Sequence, residues 1–287
     1  MLVADDWKDY ELIDAGDGER LERWGEFILR RPDPQAMWHK SADSKTWEDV
    51  HASYHRSNTG GGNWEFLINL PERWKVHYRD LSFYVKPTGF KHTGLFPEQS
   101  VNWKWLIAKI RTAKSVKALN LFSYTGGATV ATASAGAEVC HVDAAKGIVK
   151  WAKENLELSG LGSKPVRFIV DDAIKFVQRE KRRGKEYEGV IMDPPSYGRG
   201  PNGEMWKIED ELCNLVEMCA VLLSEKPLFF LINSYTTGLS PTVLKNVLDL
   251  TMRKRFGGIV SSGEVGLPIT SSGLILPCGI YGRWESD

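Results

Sequence analysis

Leu119-Asn120-Leu121-Phe122-Ser123-Tyr124-Thr125-Gly126-Gly127-Ala128 reads as an apolar strand that turns through two glycines into a helix of small residues. Gly126 and Gly127 lack Cβ atoms, so a ligand can approach the backbone at a helix start. Tight packing of the turn against a neighbouring element is the other reading. The G-x-G-x-x-G spacing is absent, which argues against a pyrophosphate ligand and disfavours a nicotinamide dehydrogenase.

Outward from this turn the pattern repeats. Buried-looking runs at Val116 to Phe122, Glu138 to Asp143, Val166 to Val170, Gly189 to Asp193, Leu228 to Asn233 and Gly258 to Glu264 alternate with helical patterns. The helices read as Ala144 to Ser159, Asp172 to Arg183, Met205 to Leu223 and Pro241 to Arg253, with one from Pro97 to Ala113 ahead of the first strand. Strand, helix, strand in repetition predicts an α/β, Rossmann-like parallel sheet covered on both faces. A last strand, Cys278 to Trp284, follows a helix-free connection from Gly266 to Gly273 and is expected to return antiparallel as the seventh. Pro277 should mark its beginning.

Ligands of such sheets sit outside the carboxyl ends of the strands. The second strand ends at Cys140-His141-Val142-Asp143, about 20 residues past the glycine turn, where a carboxylate can accept from ribose hydroxyls. Its alternative is a cap for the helix from Ala144. The third ends at Asp171-Asp172-Ala173, where a carboxylate can receive an adenine amino group or cap the following helix. Together Gly, Asp and Asp at three strand ends describe a nucleoside ligand. The fourth ends Val190-Ile191-Met192-Asp193-Pro194-Pro195-Ser196-Tyr197-Gly198.

Taken with the other three, this last segment closely resembles the class I S-adenosylmethionine-dependent methyltransferases, and within them the bacterial large-subunit ribosomal RNA methyltransferase I-like family. The resemblance covers residues 90 to 287, and Asp-Pro-Pro is its most specific part. The family's G-x-F-x-D-Q segment is matched by Gly94-Leu95-Phe96-Pro97-Glu98-Gln99 with Glu for Asp, and its glycine turn by Phe122 to Gly127. The resemblance implies that Phe96, Gln99, Phe122, Tyr124, Gly126, Asp143, Ala144, Asp172, Ala173 and Asp193 surround S-adenosyl-L-methionine. It further implies a small N-terminal domain before the catalytic one; no sign of the extra RNA-binding domain that some members carry is found.

Members that methylate C5 of a pyrimidine need a cysteine thiolate after the strand that follows Asp-Pro-Pro. Here that position reads Ile232-Asn233-Ser234-Tyr235, and Cys278 is the remaining candidate. A nitrogen target needs no thiolate. Asp193 and the carbonyls ahead of Pro194 and Pro195 can then hold an exocyclic amine in line with the methyl group, on a loop whose prolines fix φ. Asp193, Pro194 and Pro195 are thus the expected catalytic residues, with Ser196, Tyr197 and Arg199 toward the substrate. The leading reading is methylation of a base nitrogen in ribosomal RNA; a cytosine-C5 RNA methyltransferase, a DNA or protein methyltransferase and a non-catalytic RNA-binding module are the alternatives.

Eight of the eleven tryptophans lie in the first 105 residues, among short aromatic runs and turn clusters such as Asn58 to Gly62. This predicts a small β-rich domain over 1–89, with Lys86-Pro87-Thr88-Gly89 as linker, and the catalytic domain over 90–287. The tryptophans read as its core in preference to stacking platforms for unpaired bases. Lys plus Arg and Asp plus Glu are 37 each, so no net field steers a polyanion and RNA contact must be local. Arg179 to Lys185 is basic, yet cations also favour a helix C-terminus. Scattered cysteines without Cys-x-x-Cys, histidines without ligand spacing and an acidic N-terminus lead to the expectation of a reduced, cytoplasmic protein with no metal and no membrane span.

Overall fold

The structure is a computed structural model and describes residues 1–57, 61–199 and 205–287. The chain forms two compact units: Met1, Val101–Glu264 and Gly279–Asp287 make the larger, Leu2–Ser100 and Val265–Cys278 the smaller. The sequence places its break after residue 89, and nothing local in it marks 265–278 as part of the N-terminal unit.

In the larger unit helix α1 (Ser100–Arg111) precedes strands β1 (Lys117–Leu121), β2 (Glu138–Asp143), β3 (Val166–Val170), β4 (Gly189–Met192) and β5 (Phe229–Ser234). Between and after them come α2 (Gly127–Ser134), α3 (Lys146–Leu158), α4 (Ala173–Arg182), α5 (Ile208–Val221) and α6 (Pro241–Leu248), then β6 (Ile259–Pro268) and β7 (Ile275–Glu285), of which residues 265–268 and 275–278 are counted with the smaller unit. The sheet runs in the order β3-β2-β1-β4-β5-β7-β6 and gains an eighth strand beyond the seven expected, Leu2–Val3, which pairs parallel with β6 at Val265 and Gly266. Parallel pairing joins β1 to β2 and β4, β2 to β3, and β4 to β5, while β7 lies antiparallel to β5 as expected. Leu119, Leu121, Val190, Met192, Phe230 and Ile232 are all fully buried, which explains the unbroken apolar runs of the central strands. The chain reverses its direction of growth between β1 and β4, and ligands of open α/β sheets bind at such switch points.

Three local expectations differ from the structure. Met205–Lys207 is not the start of a helix but a short strand, antiparallel to Tyr197–Arg199; the helix begins at Ile208, where Glu209, Asp210 and Glu211 complement its N-terminal dipole. The helix from Pro241 stays regular only to Leu248 and continues as a π turn over Asp249–Arg253. The last strand starts two residues before Pro277, and its register with β5 begins only at Ile280, so the missing proline N–H interrupts none of that ladder.

The smaller unit holds a five-stranded sheet in sequence order, Tyr10–Gly16, Glu19–Trp24, Phe27–Pro32, Ala52–Arg56 and Gly62–Phe66, and a hairpin of Trp74–Tyr78 with Leu81–Val85. Trp24, Trp47 and Trp74 are buried, the Tyr10 ring lies 4.6 Å from that of Trp24, and Phe27 lies 4.8 Å from Trp74. The core reading of these tryptophans agrees with that packing. Buried Asp14 accepts from Trp47 Nε1 (2.8 Å), Ala42 N (2.8 Å), Ser41 N (3.0 Å) and the Ser271 hydroxyl (2.6 Å), which ties the 265–278 segment into the unit. Beside it, Glu22 accepts from Arg31 Nε (2.6 Å) and Nη2 (2.7 Å) and from the Tyr10 hydroxyl (2.7 Å), while Arg20 pairs with Asp33 at 2.8 Å.

Behind the glycine turn, Asn120 Nδ2 donates to Thr129 Oγ1 (2.9 Å), which lies 2.9 Å from His141 Nδ1. Burial pushes the fully enclosed His141 imidazole down to about 3. The folded protein thus keeps His141 neutral, while the unfolded chain takes up a proton below about pH 6.5, so stability falls as pH drops through that window. At about 1.4 kcal/mol per pH unit, moving from pH 7 to pH 5 should remove about 2 kcal/mol through His141 alone. Urea titrations of wild type and His141→Leu at both pH values check this. An equal pH dependence in the two proteins would refute it.

Candidate active site

Backbone hydrogen bonds carry the ladder past the strand ends. Ser123 N donates to Val142 O (3.1 Å), Asp171 N to Asp143 O (3.1 Å) and Asp193 N to Leu121 O (3.4 Å). Four strand ends are thereby drawn to one edge of the sheet, with Phe122 to Gly126, Asp143-Ala144, Asp172-Ala173 and Asp193 to Tyr197 side by side along it.

The turn after β1 is strained. Phe122 and Tyr124 both have left-handed backbones, φ 53° and 49°, and Gly126 follows at 85°. A left-handed non-glycine residue costs of the order of 1 kcal/mol or more and persists only where its surroundings over-determine it. Here Ser123 Oγ donates to Asn120 O (2.6 Å), Tyr124 N donates to Asp143 Oδ2 (2.9 Å), Gly126 N to Ser123 O (3.1 Å), and Asn155 Nδ2 to Thr125 O (2.9 Å). The packing reading of the glycines agrees with the structure. A Cβ on Gly126 would come 2.9 Å from that of Ala152 on α3, and one on Gly127 2.6 Å from the Trp103 ring.

The aspartates do more locally than their spacing indicates. Asp143 Oδ1 accepts from Ala145 N (3.0 Å) while Oδ2 holds Tyr124 N, so one carboxylate bridges the glycine turn and the approach to α3. Asp172 is the N-cap of α4, its Oδ1 accepting from Lys175 N at 3.0 Å; Asp171 pairs with Arg179. A carboxylate has about four acceptor positions, so these bonds leave capacity on Asp143 and Asp172 for a ligand. Three carboxylates along one edge suit a ligand that donates hydrogen bonds and carries positive charge, the chemistry of a sulfonium-bearing nucleoside.

Beyond β4 the loop is anchored from two sides. Trp206 Nε1 donates to Pro195 O (2.6 Å), and Ser196 Oγ lies 2.7 Å from Thr236 Oγ1, just past β5. Tyr197 is 48% exposed. The side chain of Arg199 and residues 200–204 lie outside the described residues. Phe96 and Gln99 belong to the smaller unit, where the Phe96 ring lies 5.5 Å from that of His92 and Gln99 N donates to Phe96 O. Under β5, Asn102 Nδ2 donates to Asn233 Oδ1 (2.8 Å) and Arg283 Nε to Asn102 Oδ1 (3.0 Å). The contacts of Asn102, Asn233, Arg283, Thr236 and Trp206 were not legible in the sequence, because isolated polar or aromatic positions of this kind have no spacing to distinguish them.

The three buried thiols, Cys140, Cys219 and Cys278, are poorly placed for nucleophilic work. Burial pushes Cys140 up to about 11 and raises Cys219. Cys278 is raised by burial first and then by the negative charge of Glu98, and its Sγ–H points at Leu276 O. Among the described residues no group of three or more His, Cys, Asp or Glu could hold a metal ion, and no helix is long and apolar enough to cross a membrane.

Comparison with known proteins gives the family and the fold. The family of S-adenosylmethionine-dependent methyltransferases matches residues 30–243. The crystal structure of a SAM-dependent methyltransferase from Agrobacterium tumefaciens is 38% identical, superposes with a TM-score of 0.95, and is matched over 100% of this chain and 93% of its own. Ribosomal RNA large subunit methyltransferase K/L of Shewanella frigidimarina is 33% identical over 144 residues, 50% of this chain and 20% of that protein. Its counterpart in Syntrophotalea carbinolica is 28% identical over 182 residues, 63% of this chain and 25% of that protein. The chain thus spans a quarter or less of the length of these two relatives. From residue 30 to residue 243, and in its fold from end to end, this chain belongs to the S-adenosylmethionine-dependent methyltransferases.

Proposed function

We propose that the protein methylates RNA, ribosomal RNA in particular, at a base nitrogen, and that it stands in the ribosomal RNA methyltransferase I-like branch of its family. The observation that carries this reading is the Asp193-Pro194-Pro195 loop at the switch point, beside the strained turn, in a protein whose buried thiols are raised away from reactivity. Support for RNA comes from the ribosomal RNA methyltransferase relatives, and a cytoplasmic location follows from that substrate.

In this reading Asp143 accepts from the ribose, Asp172 and Ala173 face the adenine, and Phe122, Tyr124, Gly126 and Ala144 form the walls. S-adenosylmethionine, when bound, supplies an electrophilic methyl group. Asp193 and the carbonyls ahead of the two prolines accept from an exocyclic amine and aim its lone pair. Ser196, Tyr197 and Arg199 bind the substrate beside it. No general base is required, since the proton leaving the alkylated nitrogen is acidic.

Asp143→Ala should weaken donor binding by roughly one to two orders of magnitude, from loss of charge-assisted bonds to the ribose and of the tie to Tyr124 N. Asp143→Asn, which keeps an acceptor, should fall between. Calorimetric titration with a melting curve for each variant checks this; unchanged affinity in a folded Asp143→Ala protein would reduce Asp143 to a structural bridge. The substrate is tested by digesting total RNA from cells with and without the gene and comparing methylated nucleosides by mass spectrometry. A nucleoside missing from the deletion strain identifies the product; identical profiles would count against RNA.

A further inference from the structure

The Asp-Pro-Pro loop has an attachment that its own residues do not provide. A proline ring fixes φ but leaves ψ open, so Pro194 and Pro195 alone do not determine where their carbonyls point. The Pro195 carbonyl accepts from Trp206 Nε1 at 2.6 Å, a bond slightly shorter than is usual for N–H···O, which fixes the direction of that carbonyl. The same indole packs on the other side of the site, its ring centroid 5.5 Å from that of Phe122 at 48°. Phe122 is one of the two left-handed residues in the turn after β1. Trp206 is in turn held by its strand: Gly198 and Trp206 are register partners, and Ile208 N donates to Ser196 O at 3.2 Å. One side chain thus touches both the glycine turn and the Asp-Pro-Pro loop.

We infer that Trp206 is a positioning residue for methyl transfer, pinning the Asp193-Pro194-Pro195 loop through the Pro195 carbonyl and seating it against Phe122. This rests on the reading of that loop as the acceptor site given above. Trp206 itself touches neither reactant in this scheme. Its N–H acts through the carbonyl it holds, and its ring acts through Phe122.

Trp206→Phe keeps a ring against Phe122 and deletes the N–H, so it separates the pin from the packing. Four quantities are measured on the full chain: amide hydrogen exchange across residues 196–199, donor affinity by calorimetry, melting temperature, and kcat and KM with radiolabelled donor on RNA from a strain lacking the gene. Expected are exchange in 196–199 faster by roughly fivefold or more, kcat lower by about fivefold, and KM and donor affinity within about twofold of wild type, in line with the loss of one hydrogen bond of about 1 kcal/mol. Trp206→Ala should lower kcat further and also loosen residues 122–126. Unchanged exchange in the Phe variant overturns the inference, as does faster exchange with wild-type kcat. A fall in kcat matched by equal falls in donor affinity and melting temperature overturns it in favour of a purely structural role. If the wild type itself transfers no methyl group to RNA, the RNA reading fails, and the exchange measurement by itself then decides whether Trp206 pins the loop.

Discussion

Asp193→Ala should lower the rate of methyl transfer by roughly 30-fold to 1000-fold, about 2 to 4 kcal/mol of transition-state stabilisation, while donor affinity changes far less. Asp193 directly follows β4, its N–H bonded to Leu121 O, so its backbone is set by the sheet and not by the loop. Loss of its side chain removes an acceptor from the point where the amine must be aimed, and alignment of reacting atoms is worth this much in other enzymes. The paired control is Cys278→Ser. A buried thiol raised by desolvation and by Glu98 is a poor nucleophile, so this variant should keep near-wild-type turnover. A Cys278→Ser protein that is folded, binds the donor and is inactive would overturn the nitrogen-target mechanism. So would a wild type trapped covalently by RNA carrying a fluorinated pyrimidine.

The second large effect is on stability. Glu22→Ala should cost about 3 to 5 kcal/mol, because it strands Arg31 without its bidentate partner inside the smaller unit. Burial pushes the Glu22 carboxyl up, but Arg31 and Arg20 outweigh it and hold the group at about 2. The folded pKa lies below the ordinary value of 4.5, so this stability is present above about pH 4.5 and is lost as pH falls from there toward 2. Urea denaturation at pH 7 measures the loss, and acid titration of wild type should show a destabilisation between pH 4.5 and 2 that the variant lacks. A loss under about 1 kcal/mol at pH 7 would mean that the cluster relaxes or admits water.

The sheet of the larger unit was legible because its signal is local. Strands such as Glu138–Asp143 and Val166–Val170 are short, largely apolar runs followed by aspartate, a pattern readable within the segment itself. Residues 205–207 escaped because a helical pattern beginning at Ile208 extends backwards through Trp206, whose position depends on pairing with Gly198. The 265–278 segment escaped for a similar reason. Its ties are to Leu2, Val3, Ile13 and Asp14, more than 250 residues away, and no periodicity within it reports them. Among candidate site residues, Asp143 and Asp172 were singled out by the chemistry of carboxylates at strand ends and Asp193 by the Asp-Pro-Pro resemblance. What spacing could not supply was their second duties, such as the cap that Asp172 makes on α4, since these depend on which backbone N–H lies nearby.

Phe122 and Tyr124 carry a consequence for how this protein can change. At positive φ a glycine relieves strain and a β-branched residue aggravates it, so Phe122→Gly and Tyr124→Gly release backbone energy while Val or Ile at either position adds to it. The same glycines would strip away the aromatic rings beside the site, Phe122 taking with it the face on which Trp206 rests. Selection for thermal robustness and selection for turnover therefore pull these two positions in opposite directions, and aromatic side chains held against their backbone preference mark the side that prevailed.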